Sequence, residues 1–100
     1  MEGLRGPARG RCRRRSAARA VKELLALAIA VVKECDGCIA YHAEATARRG
    51  ASERDVVEAL DVALLMGGGP VSVYAPRAHA AFREFAAARQ PAPEAATDST

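Results

Sequence analysis

Nine consecutive apolar residues, "LLALAIAVV" from Leu24 to Val32, constrain this chain more than any other stretch. The run is too long for a typical strand without a turn residue. It is rich in alanine and leucine, the residues that lose least on entering a helix. A helix that is apolar on every face must be buried. The run therefore predicts a central helix that packs against other helices and also against a second subunit. It is far shorter than the roughly 20 residues a membrane span needs.

The punctuation downstream sets the rest of the fold. Ser16 is placed to cap the first helix, which is expected over Ala17 to Lys33. A break follows near Glu34–Gly37. A second helix, from Cys35 or Asp36 to Arg49, stops at Gly50, with Arg48 and Arg49 at its negative end. Ser52 and Asp55 have the spacing of a capping box for a third helix, Glu53 to Met66, with Val56, Val57, Leu60, Ala63 and Leu64 as its apolar stripe. Gly67 to Pro70 ends it. Those glycines lack the lysine and the preceding strand of a phosphate loop, so they read as a tight turn. Pro70 suits the first turn of a fourth helix, Val71 to about Ala88. No segment alternates with period two over a strand's length. The fold class is all-α, a bundle of about four helices with a CxxC at the start of the second.

Charge is unevenly spread. Residues 1–19 hold seven Arg against one Glu, whereas residues 20–100 hold eight Lys or Arg against eleven Asp or Glu. The whole-chain balance of +3 thus hides a basic head on a mildly acidic domain. Residues 1–16, with three glycines, a proline and six arginines, read as a solvated, disordered head. Residues 17–88 form the helical domain, and 89–100, rich in Pro, Ala and Thr, read as a disordered tail. The head has no interleaved aromatics and no groove-binding module, so no nucleic-acid partner is expected. Arg13-Arg14-Arg15 ahead of an apolar run resembles an export signal. Lys22 and Glu23 interrupt it, and no small-residue cleavage site follows. A cytoplasmic location with no membrane association is the expectation.

Chemistry concentrates in "ECDGCIAYH", Glu34 to His42. Cys35 and Cys38 are three apart and share a helix face, close enough to join as a disulfide if the first turn adjusts. The positive end of a helix dipole favours a thiolate there. His42, one turn after Cys38, can take a thiol proton. Glu23, at the edge of the apolar helix, can face this group across a helix–helix contact and relay protons. Three readings fit the residues: a thiol redox pair, a metal clip, or small packing residues. A structural zinc wants four ligands, and only Cys12 and His79 could join Cys35, Cys38 and His42. Tyr41 and His79 read as surface residues.

The run from about Val21 to Phe85 resembles the carboxymuconolactone decarboxylase superfamily, in particular its alkylhydroperoxidase AhpD-like branch. The residues that carry the likeness are the CxxCxxxH core "CDGCIAYH", the preceding "ELLALAIA" helix, the "GAS" turn and "ALLMGGGP" with its following helix. The resemblance implies a homo-oligomer, a trimer or hexamer. It also implies a peroxidase or disulfide reductase that needs no metal, flavin or other cofactor in the chain. Cys38 would be oxidised to a sulfenic acid, activated by His42 and Glu23, and Cys35 would close a disulfide with it. A lipoylated or thioredoxin-like dithiol protein would reduce the pair, and the substrate would be a small peroxide or disulfide. Two features depart from the family. Gly37 stands where the best-known members have a second histidine, and the Arg/Gly/Pro-rich head stands where small members have a helical segment. Two alternatives remain. One is a lactone decarboxylase-like enzyme of the same superfamily, whose members generally lack the cysteine pair. The other is a non-enzymatic redox-sensing or metal-binding module.

Overall fold

The computed structural model describes residues 11–90, with side-chain surroundings from Arg19 onward. They form four helices: α1 (Arg11–Val32), α2 (Asp36–Arg48), α3 (Glu53–Gly67) and α4 (Val71–Arg89). Among the described residues there is no strand, and no helix is long and apolar enough to cross a membrane. The all-α expectation holds. The readings of residues 1–10 and 91–100 lie outside the described residues.

The first helix begins earlier than expected. Ser16 lies inside α1 rather than capping it, and residues 11–16 are helical rather than part of an unstructured head. The reason is propensity. From Arg11 to Arg19 the chain is mostly Arg and Ala, both strong helix formers, and contains no Gly or Pro. A helical segment thus precedes Lys22 after all. At the other end of the domain, α4 runs one residue further than expected, through Arg89.

Topology is simple. α1 packs against α2 and α3, α4 packs against the same two, and α1 also touches α4. α2 and α3 are consecutive in sequence but do not meet. They therefore flank the α1–α4 pair on opposite sides. The core lies between, built on Leu27, Val31, Ile39, Val56, Leu60 and Phe82. Thr46 is fully buried, and its hydroxyl donates to the His42 carbonyl at 2.6 Å, so the buried oxygen is satisfied within its own helix.

Two helix ends are closed by the same backbone device. At the end of α2, Gly50 N–H bonds to the Ala47 carbonyl and Ala51 N–H to the Thr46 carbonyl, with Gly50 at φ +84°. This is a Schellman closure, and glycine supplies the left-handed conformation without steric cost. At the end of α1, Glu34 N–H bonds to the Val31 carbonyl at 3.0 Å and Cys35 N–H to the Ala30 carbonyl at 3.1 Å. The left-handed position here is Glu34, at φ +58°. A residue with a Cβ in that conformation costs about 1 kcal/mol.

The apolar run is not buried on every face of this chain. Leu27, Ala30 and Val31 are fully covered, but Leu25 is 57% and Ile29 60% exposed. The other three helices cover only one side of α1. On α3 the expected stripe divides likewise, with Val56, Leu60 and Ala63 buried and Val57 and Leu64 exposed. The Ser52–Asp55 capping box forms in both directions.

The α3–α4 turn depends on close packing. A Cβ added at Gly67 would collide with the Val71 side chain and lie 3.2 Å from Cγ2 of Val32. Val71 is 1% exposed and cannot move aside cheaply. Gly67→Ala is therefore expected to destabilise the fold by roughly 1–3 kcal/mol, the usual overpacking range. Glu34→Gly is expected to stabilise it by about 1 kcal/mol, since it relieves the left-handed strain. Thermal unfolding followed by circular dichroism checks both, and equal Tm values for the two variants would contradict the packing and strain assignments together.

Candidate active site

The site is assembled where α1 hands over to α2. Cys35 is the N-cap of α2, extended at φ −111° and ψ 101°. Its sulfur accepts the Cys38 backbone N–H at 3.3 Å, the bond an N-cap serine oxygen would normally accept. The side chains of Cys35 and Cys38 are also in contact, with the two Sγ atoms 2.6 Å apart. Cys38 is exposed and Cys35 half-buried.

These contacts divide the two thiols. The Cys35 thiol is held below its ordinary value, first by the hydrogen bond with the Cys38 side chain, then by the Cys38 backbone N–H, with a smaller contribution from Gly37 N–H. Partial burial and the adjacent Asp36 carboxylate act in the opposite direction. The Cys38 thiol is pushed up, first by the same side-chain hydrogen bond with Cys35, then by burial and by repulsion from the Cys35 thiolate. Of the two thiols, Cys35, at the positive end of α2, therefore gives up its proton more readily.

The histidine and glutamate singled out in the sequence do meet. His42 Nδ1 lies 2.8 Å from Glu23 Oε1, across the α1–α2 contact, and both side chains are about one-quarter exposed. A carboxylate on Nδ1 places the proton of a neutral imidazole there and leaves Nε2 free to accept one. The Tyr41 ring stands edge-on to the His42 ring at 4.9 Å. Tyr41 itself is 66% exposed, as a surface residue.

Cys35, Cys38 and His42 line one cleft of about 450 Å³, with Ala26, Ile29 and Ala30 of α1 forming an apolar wall and Lys33 a basic corner. Three of the four site residues expected from sequence thus line one cleft, and the fourth, Glu23, is bonded to His42. A Cβ at Gly37 meets nothing within 4 Å, so the turn has open space at that position. Among the described residues no three His, Cys, Asp or Glu side chains are arranged to hold a metal ion. His79 is engaged elsewhere, 2.8 Å from Glu53. The side chain of Cys12 lies outside the described surroundings.

One neighbour has no local signal in the sequence. Arg77, on α4, contacts both carboxylate oxygens of Asp36, at 3.0 and 3.1 Å, inside the CxxC turn. The two residues are 41 positions apart, and no local spacing connects them.

The described geometry can be set beside known proteins. The carboxymuconolactone decarboxylase family model matches residues 8–87. In structure, the chain is similar to a carboxymuconolactone decarboxylase family protein from Legionella pneumophila, solved in its apo form, with a TM-score of 0.66 and 35% identity. That likeness covers 85% of this chain and 82% of the other. In sequence, it is 44% identical over 63 residues to an uncharacterised protein of Cupriavidus necator, which is 63% of this chain and 56% of that protein. It is 36% identical over 64 residues to uncharacterised protein 4 in the cox locus of Paracoccus denitrificans, which is 64% of this chain and 58% of that protein. The chain therefore spans a little over half the length of these two relatives.

The division between the thiols predicts unequal reactivity. Alkylation of the reduced protein, resolved by peptide mass, should modify Cys35 faster than an ordinary cysteine at neutral pH and Cys38 more slowly. Because the Cys35 thiol is lowered, its rate should level off as pH rises before a free thiol's does, with its midpoint below the usual value of 9.0. Indistinguishable rate–pH curves for the two cysteines would contradict the assignment.

Proposed function

The chain belongs to the carboxymuconolactone decarboxylase family, and on that premise we propose that it is a thiol-dependent peroxidase or disulfide reductase acting through Cys35 and Cys38. The observation that carries this reading is a contacting thiol pair that shares one cleft with His42, whose ring is in turn bonded to Glu23. A lactone decarboxylase would have no evident use for two sulfurs at van der Waals distance or less.

The proposed sequence of steps follows from which sulfur needs help. The Cys38 thiol holds its proton, so it requires a base. His42 Nε2 takes that proton, and Glu23 on Nδ1 stabilises the imidazolium that forms. The Cys38 thiolate attacks the terminal oxygen of a hydroperoxide. An S–O bond forms, the O–O bond breaks, and the leaving alkoxide takes the proton from His42 to depart as an alcohol. Cys38 is then a sulfenic acid. Cys35, already favouring the thiolate, attacks the Cys38 sulfur and expels hydroxide, which leaves as water after protonation. A disulfide remains. An external dithiol, from a lipoylated or thioredoxin-like protein, restores both thiols by exchange and is itself oxidised. We place this cycle in the reducing cytoplasm, where the dithiol is the resting form.

We further propose that the protein acts as a homo-oligomer, a trimer or hexamer. Support comes from the exposed apolar residues of α1 and α3, including Leu25, Ile29, Val62, Leu65 and Met66. Isolated apolar residues are ordinary on a surface, but a contiguous set on adjacent helices marks an interface. Size-exclusion chromatography with light scattering should give a multiple of the chain mass, and Leu25→Asp should shift it toward the monomer. A monomeric wild-type protein would remove this part of the reading.

Peroxide consumption in the presence of a dithiol reductant tests the chemistry. Cys38→Ser should abolish turnover. Cys35→Ser should accumulate one sulfenic acid or mixed disulfide at Cys38, detected by intact mass. Full activity in Cys38→Ser would reverse the roles of the two sulfurs. No turnover by the wild type with any hydroperoxide or disulfide would withdraw the reading.

A further inference from the structure

Asp36 occupies the first helical position of α2, between the two cysteines. Its carboxylate directly follows Cys35 in the chain and opposes a thiolate there. Arg77 reaches across from α4 and sets one guanidinium nitrogen against both oxygens of that carboxylate, at 3.0 and 3.1 Å. The guanidinium is in turn seated over the ring of Tyr74, 4.7 Å from its centre. Tyr74 packs against the core, so the cation has a fixed shelf rather than a free swing.

We propose that Arg77 is a positioning residue for the thiol pair: it cancels the charge of Asp36 beside Cys35 and ties the CxxC turn to α4. The inference rests on the reading of Cys35 and Cys38 as the reacting groups, and not on the identity of the oxidant. It gives the fold a reason to carry a charged pair at this place, where both side chains are about half exposed and a bare ion pair contributes little to stability.

The other charges near the turn do not substitute for Arg77. Lys33 and Glu34 precede Cys35 on the same turn and carry opposite signs. His42 on α2 is already engaged by Glu23 of α1. Cys38 supplies the hydrogen bonds described above. Of these groups, only Arg77 contacts the Asp36 carboxylate among the described residues. The consequence reaches the redox balance. A group that stabilises the Cys35 thiolate stabilises the reduced pair and makes the disulfide more oxidising.

The experiment is the alkylation rate of Cys35 in the full-length reduced protein, followed by peptide mass from pH 5 to 10, for three variants. Arg77→Gln leaves the Asp36 charge uncancelled and should slow alkylation at neutral pH by about two- to fivefold, the range expected of one partly exposed charge. Asp36→Asn removes the opposing charge and leaves the cation, and should speed it by a similar factor. Arg77→Lys keeps the charge and should stay within about twofold of the wild type. Opposite signs for the first two variants are the signature. A clamp that merely holds the turn in shape would be broken equally by both, so shifts in the same direction would overturn the proposal, as would no shift in Arg77→Gln. Matching thermal unfolding of the three variants confirms that the comparison is made on folded protein. If Cys35 in the wild type is no more reactive than free cysteine, the underlying thiol reading fails instead.

Discussion

The structure turns on what Cys35 does for two helices at once. Its backbone N–H closes the end of α1 on the Ala30 carbonyl, and its sulfur caps the start of α2 by accepting the Cys38 N–H. A serine or aspartate would make a stronger cap with less polarisable chemistry. With sulfur here, the atom that starts the helix is also the atom the proposed chemistry uses. Everything else in the site is arranged from this junction. His42 lies two helical turns along α2, Glu23 reaches it from α1, and the cleft wall is the face of α1 that the junction holds opposite the thiols.

The readable parts of this fold were those written in local chemistry. The Ser52–Asp55 box, the glycine at position 50 and the break at Gly67–Pro70 each act within a few residues, so their effects appear directly in the sequence. The His42–Glu23 pair was legible for a related reason. A carboxylate at the edge of an apolar helix and a histidine on the next helix have few other partners to find. What was hidden depended on tertiary placement or on an unfavourable local choice. Nothing near Glu34 signals a left-handed residue, because glycine is the usual occupant and glutamate is held there only by the bonds around it. Arg77 finds Asp36 only because α2 and α4 pack together. Ser16 looked like a cap because it is a good one, yet the Arg- and Ala-rich residues before it continue the helix. The split between the two thiols was also beyond sequence, since it depends on which sulfur accepts and which donates.

The apolar surface of α1 has two destinations. Leu27 and Val31 face the core, while Ile29 is shared between the thiol cleft and a second apolar hollow lined by Leu25, Val32, Val62 and Met66. The residue that forms one wall of the thiol cleft therefore also belongs to the exposed apolar surface proposed to seat a second copy. In the proposed oligomer, assembly and access to the sulfurs would be linked through one isoleucine side chain, without any long-range coupling being required.

The sulfur cap has a mechanical side. An N-cap works by accepting a backbone N–H, and a thiolate accepts far better than a sulfur locked in a disulfide. In the proposed cycle, oxidation of the pair would deprive α2 of the acceptor that starts it and free the first turn through Cys38 to fray. Amide exchange at Cys38 should accelerate in the oxidised protein while exchange in the core of α2, around Ala43, stays slow. The electron count of the site would thus be written into the firmness of a helix end.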